Sequence, residues 1–397
     1  MRALGRHSRF TPHVGGGLLA LGVLFLARIS VSFQFQSVAP LSGLLEERFD
    51  VSLSRLGLLL GIYMAPGIVV ALCLPSVISR FGRTRVICLA IMLMAAGEAL
   101  LWQSGMFGTA LASRLIAGAG GCVIYIITIN MVADLHTGIS APARMGIIAA
   151  AWPFGNAFAL GMLGWMAVSS PEIASHAPLA LALAALVATS ALLMARTQAF
   201  PSPPTPSFSK WKDVLVRIWP AALSFSLYNI AFIILTGFAG RILVDDGVPT
   251  AQASAIAAVP MWFFLVSVPL GGFIAGRSNR GDFRIVCLSC LLAAAAVLAS
   301  ATGSHHLLLY SIAGLLGGLP TAPMLARGRM ASGADTDISY SALFAIFFVA
   351  LIVLPPAAGR LADFTGTSHT ILGVVAALLA ASILLFGHAL RRPPQTA

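Results

Sequence analysis

Two basic segments, half a chain apart, are each followed by nearly the same apolar words, and this echo constrains the fold of the 397-residue chain more than any other feature. The first runs Pro75-Ser-Val-Ile-Ser-Arg80-Phe-Gly82-Arg83-Thr-Arg85 and continues Val-Ile-Cys88-Leu89. The second runs Gly272-Phe-Ile-Ala-Gly276-Arg277-Ser-Asn-Arg280-Gly-Asp-Phe-Arg284 and continues Ile-Val-Cys287-Leu288. Each lies between long apolar stretches. A repeat at half the chain length, set in membrane-type sequence, implies two homologous helical bundles with a substrate site expected between them.

Composition narrows the class. The chain is 58% hydrophobic and 9% charged, whereas a soluble domain carries about 25% charged residues. An all-α polytopic membrane protein is expected. The first apolar run, from about residue 14 to 45, is too long for a signal-peptide core and lacks a small-residue cleavage site, so it reads as a retained first span. A net charge of +11 would suit nucleic acid, but the basic residues are scattered in short groups between apolar spans. That is the pattern of cytoplasmic loops, and no nucleic-acid partner is expected. Cys73, Cys88, Cys122, Cys287 and Cys290 all fall in apolar stretches. Cys287-x-x-Cys290 has neither a βαβ setting nor a second pair of ligands, so small apolar packing is the better reading, and neither metal nor cofactor is expected.

About 20 apolar residues cross a bilayer. Counted this way, the spans fall near 14–41, 53–78, 86–104, 108–134, 143–168 and 177–196, then 217–241, 251–276, 285–302, 306–326, 339–359 and 369–389. Six and six fits the repeat. The expected organisation is an N-terminal bundle (1–196), a Pro-rich cytoplasmic linker (197–216) carrying Phe200-Pro-Ser-Pro-Pro-Thr-Pro-Ser207, and a C-terminal bundle (217–397). With both termini inside, eighteen Lys and Arg residues face the cytoplasm and only Arg48, Arg55, Arg241 and Arg360 face outward, which orients the chain. The expected location is the cell inner (plasma) membrane.

With these spans and loops, the sequence resembles the major facilitator superfamily. That family carries Gly-x-x-x-Asp-Arg-x-Gly-Arg-Arg/Lys between its second and third helices and a weaker copy between the eighth and ninth. Arg80, Phe81, Gly82 and Arg83 match the first copy, with Pro75 at its glycine and Ser79 at its aspartate. Gly272 and Arg277 match the second, with Gly276 where the acid would stand. Arg114 and Gly118 match the family's Arg-x-x-x-Gly in the fourth helix. The resemblance implies twelve helices in two six-helix bundles and secondary transport by alternating access. The aspartate that the resemblance would make a latch is missing from both copies, so Arg80, Gly82, Arg83 and Arg277 are read as an altered gating loop, or as positive-inside topology alone.

An ionisable residue inside a span is costly unless paired or hydrated. Glu98 and Arg114 lie about eight residues on either side of the turn near Gly105–Gly108, hence about 12 Å deep on antiparallel neighbours. An ion pair is expected, either a static brace or a proton-responsive switch. Arg28 has no acid at its depth. With Ser32 and Gln36 it forms a polar stripe that, in the family fold, would line the central cavity, and its five donors suit a small anion or carboxylate. Bonds to helix carbonyls are the alternative. Tyr228 and Asn229 on the seventh span are expected across the cavity from Arg28. Tyr63, Tyr125, Asn130, Trp152, Asn156 and Trp262 are further mid-depth candidates for substrate contact.

The leading function is secondary transport of a small anionic or polar solute by a monomer, with proton coupling through Glu98 as an open element. No Gly-x-x-x-x-Gly-Lys-Ser/Thr motif for nucleotide hydrolysis occurs. Arg28 followed by Ser37-Val-Ala-Pro40-Leu and later Leu56-Gly-Leu also resembles the cyanate and nitroimidazole transporter branch, over the first two helices only. Proton-driven efflux of amphipathic compounds is the alternative, disfavoured because Trp152-Pro153-Phe-Gly155-Asn156 lacks that group's Gly-Pro and paired glycines. A membrane-embedded enzyme is a remote third, since the eight His lie in tails, loops or span ends, and the adjacent His305-His306 do not face one another.

Overall fold

The computed structural model describes residues 14–133, 135, 137–195, 211–275, 279–330 and 336–391. Among them there are sixteen α-helices and no strand. The first half holds α1 (Val14–Gln36), α2 (Ser42–Phe49), α3 (Leu53–Ile62), α4 (Gly67–Phe81), α5 (Arg83–Gln103), α6 (Phe107–Ala133), α7 (Ala141–Phe158), α8 (Gly164–Ser169) and α9 (Pro171–Ala195). The second holds α10 (Trp211–Asp245), α11 (Thr250–Ile274), α12 (Asn279–Ala299), α13 (His306–Gly317), α14 (Thr321–Met330), α15 (Thr336–Thr365) and α16 (Thr370–Arg391). They make twelve segments long and apolar enough to cross a membrane.

The helix breaks have local causes. The second span divides into α3 and α4 at Tyr63–Pro66, and the tenth into α13 and α14 at Gly318–Pro320. In each, a proline without an N–H follows residues it disfavours in helical geometry. The fifth joins α7 to α8 through a π-helical segment, Ala159–Leu163.

Three expectations need correction. Residues 211–216, assigned to the linker, already belong to α10, because this stretch is proline-free and carries Asp213 in its first turn, where a negative charge meets the helix dipole; residues 197–210 lie outside the described residues. The sixth span begins at Pro171, where proline is favoured at a first helical position, rather than near 177. The eleventh, expected to end by 359 near Pro355 and Pro356, continues as α15 to Thr365.

In the first bundle α5 packs on α6 and α9, and α1 on α7 and α9. In the second, α10 packs on α15 and α16, α11 on α13, and α12 on α13 and α16. The bundles meet along two seams: α3 and α4 against α15, and α7 and α8 against α11. The first seam explains how the prolines inside α15 are accommodated. Each proline removes a backbone donor and so releases the carbonyl four residues earlier. Glycines let the facing backbone close in: a Cβ on Gly61 would sit 2.4 Å from the Leu351 carbonyl oxygen, and one on Gly57 2.6 Å from that of Pro355. From the other side, a Cβ on Gly359 would sit 2.4 Å from the Leu53 oxygen.

Candidate functional site

Arg28 lies midway along α1 and is 3% exposed. Its Nη1 donates to the Tyr125 carbonyl (2.8 Å) and to Thr128 Oγ1 (3.2 Å), both on α6, and its guanidinium lies 4.1 Å from the centre of the Tyr125 ring. Its Nε is buried without a partner, and among the described residues no carboxylate pairs with it.

Half a chain further on, Tyr228 repeats the bonding pattern. Its hydroxyl donates to the Gly317 carbonyl and lies 2.8 Å from Thr321 Oγ1, on the tenth span. In each bundle, then, a polar side chain of the first helix reaches a carbonyl and a threonine of the fourth. A neutral phenol does this in the second bundle. The positive charge of Arg28 is therefore more than the anchoring requires.

Other candidates are distributed differently from the expected single cavity face. Ser32 Oγ donates to the Ala151 carbonyl at 3.2 Å, and Gly155 packs so closely that a Cβ there would meet this hydroxyl at 1.9 Å. With its amide oriented to satisfy both neighbours, Asn156 donates to the Ser32 carbonyl (2.9 Å) and accepts from Trp152 Nε1 (3.2 Å). Gln36 Nε2 crosses the bundle interface to the Thr236 carbonyl (3.3 Å), while its Oε1 is buried without a partner. Asn229 bonds the Phe225 carbonyl of its own helix. Neither Tyr228 nor Asn229 has a described bond to Arg28. The residues brought together around Arg28 are Tyr125 and Trp152, whose rings meet edge-to-face at 5.3 Å, with Phe35 5.3 Å from Trp152 and Phe344 of the second bundle 5.7 Å from Tyr125.

Glu98 and Arg114 do pair, at 4.0 Å, each 1% exposed. Arg114 is mainly a hub for helix ends. It donates to the Leu59, Gln34 and Phe35 carbonyls at 3.2, 2.9 and 3.1 Å, which lie in the last turns of α3 and α1, where carbonyls lose their intrahelical partners. Its guanidinium also lies 4.4 Å from the Tyr63 ring centre. Glu98 accepts from Trp102 Nε1 through one oxygen and leaves the other buried without a hydrogen bond. Tyr63 itself bonds Gln34 Oε1 and fills the space left by Gly118 and Gly121.

The model of the Major Facilitator Superfamily matches residues 24–327, which include Arg28, Arg114 and Tyr228. The chain belongs to the Major Facilitator Superfamily. Its fold is shared with a crystallised transporter of that superfamily, FucP in the outward conformation, at a TM-score of 0.64 and 17% identity over 94% of this chain and 99% of that one. Identity this low shows the fold alone. Comparison with curated proteins gives no match. A transporter-type membrane protein, rather than an enzyme, is the class this membership implies.

Within the superfamily's loop motif, Gly82 takes φ +78° between α4 and α5, a conformation that favours glycine. Arg80 is exposed in the last turn of α4 over the Phe81 ring, and Arg83 is buried at the start of α5. Arg277 lies outside the described residues, as does the side chain of Asn130. Trp262 is 42% exposed and meets Phe154 across the second seam at 5.7 Å, away from the Arg28 cluster. Sequence reasoning missed Thr128, Phe35, Gln34 and Phe344. Thr128 carried no signal, since the 197-residue offset between the basic loops sets it against Leu325 rather than Thr321. Phe344 carried no signal, because only packing between bundles brings it near Tyr125.

Proposed function

We propose that this chain is a secondary transporter of a small organic anion, bound at Arg28 between an N-terminal bundle (1–196) and a C-terminal bundle (beginning with α10). The observation that carries this reading is the Arg28/Tyr228 pair. Where a neutral side chain suffices to tie first helix to fourth, the other half keeps a permanent, uncompensated charge in the middle of a span, at a cost of about 2.5 kcal/mol or more. An anion recovers that cost. The Tyr125, Trp152, Phe35 and Phe344 rings supply apolar walls beside the guanidinium, and the cyanate-branch likeness of the first two spans agrees with an anionic solute. The bundles would alternate access about this site as a monomer, with the termini in the cytoplasm and the chain in the inner membrane. Neither nucleic acid nor a cofactor enters this reading.

Proton coupling belongs to the same reading through Glu98, whose second oxygen lacks a hydrogen bond although Arg114 is near. In proteoliposomes, Glu98→Gln is expected to flatten the pH profile of transport; an unchanged rate and profile would leave Glu98 as part of the brace.

The site is tested by a thermal-shift screen of purified protein against small carboxylates, inorganic anions and amphipathic cations. Carboxylates should stabilise the native chain and fail to stabilise Arg28→Gln. An anion that stabilises both equally removes Arg28 from the site. Stabilisation by amphipathic cations alone would favour the efflux reading instead.

A further inference from the structure

The glycine seam between α3 and α15 advances in steps of four residues. Gly61 faces the Leu351 carbonyl, Gly57 faces that of Pro355, and Gly359 packs on the Leu53 carbonyl. Steps of four keep one face of each helix toward the other. One step further along α15 stands Asp363. Its carboxylate accepts from the Leu53 amide at 3.1 Å and from the Ser54 amide at 2.9 Å, the first two residues of α3. The glycines therefore fix the register that seats Asp363 against a helix end of the other bundle. This contact lies on the face opposite the start of α1 and the end of α16.

Neither helix end is explained by its own bundle. Asp363 lies in the last turn of α15, where a negative charge opposes the helix dipole. The first turn of α3 holds no acid and carries Arg55, again the disfavoured sign. Ser52 occupies the N-cap position of α3 in extended backbone (φ −76°, ψ 169°), and its carbonyl accepts from the Leu56 amide at 3.0 Å. Its side chain nevertheless makes no capping bond. Serine is among the residues best suited to such a bond, which would go to the second or third amide of the helix. The second of these, Ser54, is bonded to Asp363 instead. A helix end with a capable serine of its own is thus capped from across the interface.

We propose that Asp363 is a latch that caps α3 from the other bundle, and that parting of the bundles on this face hands the cap to Ser52. In the closed arrangement the Asp363 charge meets the positive end of α3, which offsets its unfavourable place at the end of its own helix. When α15 moves off, the Leu53 and Ser54 amides lose the carboxylate. The Ser52 hydroxyl, idle until then, turns to the Ser54 or Arg55 amide and keeps the helix end capped. The two acceptors therefore act oppositely on one equilibrium: Asp363 favours closure and Ser52 favours parting. A second polar contact crosses the bundles on this face, from Arg241 Nη1 to Glu46 of α2 at 2.9 Å. Its side chains are 42% and 28% exposed, and ion pairs in such surroundings contribute little. The carboxylate on the helix end is the stronger fastening.

The test measures distance rather than transport, so it is independent of the solute assigned to Arg28. Spin labels at Met106→Cys and Gln252→Cys, both exposed on this face and in different bundles, are placed in a chain lacking its native cysteines and reconstituted in nanodiscs. Double electron–electron resonance then gives the ratio of separated to closed molecules, from positions that fraying of α3 does not move. Asp363→Ala should raise that ratio by about 2- to 30-fold, the loss of one helix cap. Ser52→Ala should lower it, by up to about the same factor. A fall is read only where separated molecules are present, so Ser52→Ala is measured in Gly61→Ala, whose methyl against the Leu351 oxygen holds the seam apart. An unchanged ratio in Asp363→Ala overturns the proposal. So does a larger rise in Glu46→Gln, which would assign closure to the Arg241 pair. A ratio that Ser52→Ala raises or leaves unaltered also overturns it, because the two acceptors would then be parts of one static cap.

Discussion

The glycine seam between α3 and α15 makes a state-selective perturbation available. In Gly61→Ala the new methyl carbon would sit 2.4 Å from the Leu351 oxygen, against an ordinary close C–H···O approach of about 3.3 Å. The obstructing atom is backbone, so α3 and α15 must part by about 0.9 Å. Overpacking of this size costs about 1–3 kcal/mol. The intrinsic helix gain of alanine over glycine is present whether the seam is closed or apart and cancels from the comparison. The closed population should therefore fall by about 5- to 150-fold relative to the open one. Leu56, 4% exposed beside the crevice that also includes Val38, Leu60 and Phe238, supplies the reporter. As Leu56→Cys in a chain without its five native cysteines, it should react with an impermeant maleimide faster by that factor when Gly61→Ala is added. Gly43→Ala, where a Cβ meets nothing within 4 Å, should leave the rate unchanged. An unaltered rate in Gly61→Ala, with the protein monodisperse, would refute the claim that the seam needs its glycines to close.

Three further outcomes follow from the same geometry. Arg114→Leu should lower stability by about 3–5 kcal/mol, because it leaves Glu98 unpaired and three helix-end carbonyls without their donor; thermal unfolding in detergent checks this, and Arg114→Lys should recover only part of the loss, since one ammonium does not reproduce the planar fork. Gly155→Ala should destabilise the α1–α7 contact and be partly rescued by Ser32→Ala, giving a coupling of about 0.5–3 kcal/mol in a double-mutant cycle; additive effects would mean the two residues do not touch. Tyr228→Phe should cost about 1–3 kcal/mol of stability by leaving the Gly317 carbonyl and Thr321 without their partner, read by the same unfolding assay.

The repeat, the span count and the Glu98–Arg114 pair were legible because each depends on short-range pattern: apolar length, basic loops, and equal distance from one turn. The ends of spans were less so. Pro355 and Pro356 predict a helix end, yet α15 continues because glycines of a distant helix pack against the carbonyls there, a contact between residues far apart in sequence. The polar stripe of α1 was legible as polar, but its direction was not. Arg28, Ser32 and Gln36 share one face by periodicity, and that face meets α6, α7 and α10 in turn, so each residue finds a different partner.

The buried charge of Arg28 bears on how the proposed anion site would close. With the site empty, Arg28 holds a positive charge in the middle of a span with only a carbonyl, a hydroxyl and an aromatic face to stabilise it. Closing both ends around such a charge removes the water that would otherwise screen it, so the empty chain resists full occlusion. In the proposed reading a bound anion cancels the charge and removes the resistance.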